Sequence, residues 1–94
     1  MTSQDMKGEQ SIMLQQIREH IRVAAIFGPG NRIRPVWFDW RQHKHTVQEV
    51  TCCWDEREGS AVRLHFAVSD GADLYELTYN ATTHIWRLAT VETV

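Results

Sequence analysis

Ninety-four residues with 43% hydrophobic and 23% charged side chains suffice for one small domain and are too few for two cores, which excludes both a multi-part enzyme and a disordered tail. Ten lysines and arginines against twelve acids leave a net charge of −2. The chain as a whole therefore attracts neither nucleic acid nor anionic lipid, and any such binding has to be local.

Residues 1–8 are polar and aperiodic, which predicts a flexible start, and residues 9–94 read as one domain. The first residues hold no apolar signal core, and no stretch approaches the roughly 18 apolar residues of a membrane span, so a cytoplasmic protein with no membrane partner is expected. Met13, Ile17 and Ile21 recur at steps of four, with Leu14 beside them and Gln15, Gln16, Arg18 and Glu19 opposite. That spacing predicts an amphipathic helix over about 9–20, with Ser11 available as a cap. Three turns are marginal alone, so the helix must lie on the domain's own sheet or on another copy of the chain.

Beyond His20 the period shortens to two. Strands are expected over about 21–27, 32–40, 45–54, 61–69, 73–79 and 84–91. Gly28-Pro29-Gly30-Asn31 ends the first, with Pro29 and Gly30 suited to adjacent turn positions. Pro35 marks an edge or bulge in the second, where Val36, Phe38 and Trp40 share a face. In the third, Val50, Cys52 and Trp54 share the inner face, and Val47 falls out of phase unless a bulge intervenes. Asp55 to Ser60 reads as a charged loop. Val62, Leu64, Phe66 and Val68 then alternate cleanly with Arg63, His65 and Ala67, Asp70-Gly71 signals a hairpin, and Tyr75, Leu77, Tyr79, Trp86 and Leu88 supply the remaining inward positions. Short connections join sequential neighbours, so the fold expected is a mainly β, six-stranded antiparallel meander curling into a small barrel, with one N-terminal helix.

The spaced pattern Arg34-Pro35-x-x-Phe38-x-Trp40, Val47-x-x-Val50 with Trp54, Tyr75-Glu76-Leu77-x-Tyr79 and Trp86-Arg87-Leu88 resembles a small bacterial family of β-rich domains of unknown function. The resemblance runs from about Arg34 to Leu88 and implies a compact β-rich domain. It brings no functional residues, and the N-terminal segment and Cys52-Cys53 lie outside its pattern.

Candidate chemistry is sparse. Neighbouring cysteines on a strand point to opposite faces, which disfavours a disulfide between them and casts Cys52 as buried and Cys53 as a surface thiol. Five histidines come without metal-ligand spacing, and no nucleophile–base pair or phosphate loop is legible, so neither enzyme activity nor a metal or other cofactor is expected. Glu76 falls on the wet face as an ordinary solvated acid. The most suggestive feature is the hairpin 32–45, where Arg32, Arg34, Arg41 and Lys44 face only Asp39, for a net of +3, while residues 46–94 carry −5. Trp37 is out of phase with the inward tryptophans Trp40, Trp54 and Trp86, and is either covered by the helix or left as a contact. The leading expectation is a non-enzymatic protein-interaction module, with an unknown partner or with itself, through Arg32, Arg34, Trp37, Arg41 and Lys44. The alternative is a nucleic-acid-binding small β-barrel using the same basic aromatic hairpin, with cations on phosphate and aromatics on bases.

Overall fold

A computed structural model describes residues 13–30 and 32–93. Eight strands account for most of them: β1 (Met13–His20), β2 (Arg22–Phe27), β3 (Ile33–Trp40), β4 (His43–Thr46), β5 (Glu49–Glu58), β6 (Ala61–Ser69), β7 (Leu74–Asn80) and β8 (Ile85–Thr93). They form two antiparallel sheets, a five-stranded one in the order β1-β8-β7-β6-β5 and a three-stranded one in the order β2-β3-β4.

The helix expected over 9–20 is not present from Met13 onward, and residues 9–12, like the flexible start expected at 1–8, lie outside the described residues. Met13–His20 is instead an edge strand on β8, with Met13 opposite Thr93 and His20 opposite Arg87. The physical reason is an ambiguity in the pattern: residues four apart share a face in a strand as they do in a helix. Ile17 and Ile21 pack against the core, while Met13 and Leu14 stay exposed. Arg18 takes a positive φ where the register shifts between Gln16 and Glu19, a bulge that twists this edge.

The expected third strand, 45–54, divides into β4 and β5. Val47 N–H donates to Val36 O in the small sheet, and the next residue, Gln48, donates to Ser69 O in the large one. This corner carries the chain from sheet to sheet and takes the place of the bulge expected between Val47 and Val50, putting the two valines in different sheets; the register shift of β5 lies further on, between Val50 and Cys52. A second corner lies at Ile21, whose N–H reaches Trp86 O before Arg22 joins the small sheet opposite Asp39. The β3–β4 turn consists of Arg41 and Gln42, both at positive φ, as the twist of a two-residue hairpin requires.

Between the sheets lies the core: Phe38 from the small sheet against Phe66, Val68, Tyr75, Leu77, Tyr79, Trp86, Leu88 and Val91 from the large one. Phe38, Val68, Leu77 and Leu88 are wholly buried. Tyr79 and Trp86 rings lie 4.7 Å apart and Phe38 meets Tyr75 edge-on at 5.1 Å, so aromatic packing supplies much of the contact in a domain with little area to bury. The expected barrel does not close among the described residues. β4 is too short to follow β3, pairing only from Trp37 to Trp40, and so Ile33 to Pro35 have no partner on that side. Pro35, which has no N–H to donate, sits at the register shift opposite Ala24 and Ala25.

Candidate functional site

Where β3 runs past the end of β4, a cleft of about 850 Å³ opens between the two sheets. One wall is the unpaired start of β3, with Arg32, Ile33 and Arg34, joined by Ile26 and Gly28. The other is β5, with Cys53, Trp54, Asp55 and Arg57, and the floor is Val62, Leu64 and Phe66 of β6. Two strand edges without partners thus flank one apolar floor. β5 is the longest strand, ten residues, and every residue but Val50 is exposed. It carries none of the lysine or proline that commonly blunt an edge.

Charge in the cleft is lopsided. Arg32, Arg34 and Arg57 stand against Asp55 alone, and none of the three guanidinium groups forms an ion pair among the described residues.

The five residues singled out from sequence do not form one surface. Arg32 and Arg34 line the cleft. Trp37 and Lys44 lie on the outer face of the small sheet, where Lys44 Nζ sits 4.7 Å from the Trp37 ring centroid and the Arg22 guanidinium 5.9 Å away. Arg22 in turn pairs with Asp39. Trp37 is therefore half-buried beneath two cations rather than beneath the expected helix. Arg41 turns the other way, stacking on Trp40 at 4.7 Å and donating to Glu19 Oε2 at 2.9 Å, while Trp40 Nε1 donates to Glu19 Oε1 at 3.1 Å. The Arg41 hydrogen bond holds the Glu19 carboxyl below its usual range, outweighing a smaller opposing effect of burial.

Trp54 is not a core residue: it is 42% exposed on the outer face of the large sheet, because β5 is an edge with nothing packed on that side. Cys52 is exposed like Cys53, for the same reason. Asp55 to Glu58, read as loop, continue β5, and only Gly59 and Ser60 turn. Glu76 is not simply solvated. Its Oε2 lies 2.9 Å from His65 Nδ1, whose Nε2 lies 2.6 Å from Glu56 Oε1. His65, only 9% exposed, so ties β5, β6 and β7 together under the Trp54 ring.

At the opposite end of the large sheet, Asp70 organises the β6–β7 turn. Burial works to raise its carboxyl, but the N–H groups of Asp73 and Ala72, the Tyr75 hydroxyl and His45 outweigh it and hold the group at about 2. Tyr75 is pushed above its ordinary value of 10 by burial first and by the Asp70 carboxylate it donates to second. His45 is thereby engaged, and His43 is exposed beside it on β4. Among the described residues no group of three histidine, cysteine or carboxylate side chains could hold a metal ion. No helix among them is long and apolar enough to cross a membrane.

Arg57, Asp55 and the β6 floor escaped the sequence reading. The signal present was the alternation of Cys53, Asp55 and Arg57, which continues the strand through the supposed loop. No family model, no curated protein and no solved structure matches the chain.

Proposed function

We propose that this domain is a non-enzymatic protein-interaction module that takes up one extended segment of polypeptide in the cleft between β3 and β5. The observation that carries the reading is the pair of unpartnered strand edges on either side of an apolar floor. An added strand gains main-chain hydrogen bonds from an edge and sends alternate side chains downward, the mode of recognition used wherever a sheet accepts a peptide. Arg32, Arg34 and Arg57 favour acidic residues in that segment. Of the residues first singled out, Arg32 and Arg34 keep a binding role, whereas Trp37, Lys44 and Arg41 are engaged within the domain. A cytoplasmic setting and the bacterial family resembled by the aromatic pattern belong to the same reading, since the latter implies a compact β-rich domain.

Nucleic-acid binding by hairpin 32–45 is the weaker reading. Asp39 and Glu19 already neutralise part of the hairpin's neighbourhood, and Trp37 has its face occupied by cations rather than free for a base.

The test is fluorescence anisotropy with three probes: a seven-residue peptide alternating apolar and acidic residues, the same peptide N-methylated at alternate amides, and a single-stranded oligonucleotide, each at low and physiological salt. Binding of the first peptide, lost on N-methylation and weakened at least fivefold by the paired change Arg32→Glu and Arg34→Glu, supports strand addition. Binding of the oligonucleotide alone, falling steeply as salt rises, overturns it.

A further inference from the structure

On the face of the large sheet that points away from the core lies a smaller hollow of about 230 Å³, whose polar lining is His20, Arg63, Thr78, Asn80, Thr83 and Arg87. The ladders bring these residues together. Arg87 stands directly between His20 and Thr78, and Asn80 stands opposite Arg63. Tyr75, Leu77 and Tyr79 take the core face of β7, so alternation turns Thr78 and Asn80 outward. We infer that this hollow binds a small tetrahedral oxyanion, specifically a phosphate group.

Thr78 is the deciding residue. It is only 8% exposed, and its hydroxyl has no hydrogen-bond partner among the described residues. The imidazole opposite it, His65, already has both nitrogens committed to Glu56 and Glu76. Buried hydroxyls are nearly always bonded, so an unpartnered one that lines a polar hollow marks the floor of a binding site. The groups around it are donors. Arg87 forms no ion pair among the described residues, and Arg63 keeps only a loose contact with Glu58, at 3.6 Å longer than a hydrogen bond. Asn80 has its Oδ1 engaged by the N–H groups of Thr82 and Thr83, at 2.8 and 3.1 Å, which leaves its Nδ2 to donate. No carboxylate among the described residues lines the hollow.

Two guanidinium groups, an amide and two hydroxyls thus border one small volume beside the His20 ring. They offer more donors, from more directions, than a flat carboxylate accepts, and a tetrahedral anion with three or four oxygens matches them. The hollow is smaller than the roughly 300–1,000 Å³ of sites that hold drug-sized molecules, which limits the guest to phosphate itself or a short phosphomonoester. It lies on the opposite face of the sheet from the peptide cleft, so the two sites stand or fall separately.

The experiment is a titration of the full chain with inorganic phosphate, followed by backbone amide NMR shifts at constant ionic strength. Glycerol 3-phosphate, acetate and chloride are run in parallel. Phosphate is expected to give saturable shifts centred on His20, Thr78, Asn80 and Arg87, and acetate to bind about tenfold more weakly or not at all. Arg87→Gln, at an exposed position, should weaken phosphate about tenfold, the worth of a hydrogen bond to a charged group. Thr78→Val should weaken it by a similar factor, while its urea midpoint in phosphate-free buffer stays at or above the parent's, because it removes a buried hydroxyl without a partner. Equal binding of phosphate and glycerol 3-phosphate identifies free phosphate as the guest, preference for the ester identifies a small phosphomonoester, and both uphold the site. Shifts that never saturate, that acetate or chloride reproduces, or that survive Arg87→Gln assign the patch to ordinary charge screening and overturn the proposal. A Thr78→Val protein that folds and binds phosphate like the parent overturns it as well.

Discussion

Trp54 lies flat on His65, with ring centroids 5.0 Å apart and planes within 10° of parallel. The two residues are directly opposite in the β5–β6 ladder. This pair covers an imidazole whose two nitrogens face Glu56 and Glu76, and it gives an exposed tryptophan a structural duty without placing it in the core.

Trp54→Ala is therefore expected to cost about 0.5–1.5 kcal/mol, the scale of one aromatic pair. Trp86→Ala, which removes a buried ring from the centre of the core, is expected to cost about 3–5 kcal/mol. Urea denaturation of both variants checks the contrast, and equal losses would show that Trp54 is part of the core after all.

Acid should reveal Asp70. Its folded carboxyl sits at about 2 against an ordinary 3.8, so the unfolded chain binds the proton first as the medium is acidified. The stabilisation is complete above pH 4 and drains away between about pH 4 and pH 2. Asp70→Asn is expected to flatten that limb of the stability–pH curve. A variant that loses stability over the same window as the parent assigns the limb to another group.

Gly71 is required twice over. It takes φ +99°, and a Cβ there would lie 2.8 Å from Gln48 Nε2. Gly71→Ala should cost about 1–3 kcal/mol, the range for a strained backbone position. Pairing it with Gln48→Ala relieves the steric part alone, so a double-mutant cycle should return only part of the loss. Full recovery would mean that the backbone conformation is free of strain.

On the outer face of the small sheet, Lys44→Ala should cost about 0.5–1 kcal/mol, the scale of an exposed cation over an indole. Lys44→Met, which retains the covering methylenes without the charge, separates packing from cation–π attraction. If Met restores all of the lost stability, the charge contributes nothing.

How far the sequence disclosed this molecule depends on whether a residue's neighbours lie nearby in the chain. Phe66 and Val68, Tyr75 to Tyr79 and Trp86 with Leu88 sit in strands whose partners follow through short turns, and their alternation places them correctly in the core, whereas Val62 and Leu64, on the same face, floor the open cleft. Met13 to His20 escaped because its partner, β8, lies some seventy residues away, and spacing by four does not choose between strand and helix. Trp54 and Cys52 were misread because alternation tells which face a residue occupies but not whether anything covers that face. The candidate site was half legible. Arg32 and Arg34 stood out as charges, whereas Arg57 faces them only because the corner at Val47 and Gln48 brings β5 round to the far side of the cleft.

That corner also governs how the protein comes apart. Adjacent amides, those of Val47 and Gln48, are bonded to different sheets, and the uninterrupted stretch from His43 to Glu58 is an edge of both. Neither layer can release this edge without tearing the other's. The two sheets consequently have no separate melting events, and their slowest-exchanging amides should share a single opening free energy, as one cooperative unit and not two.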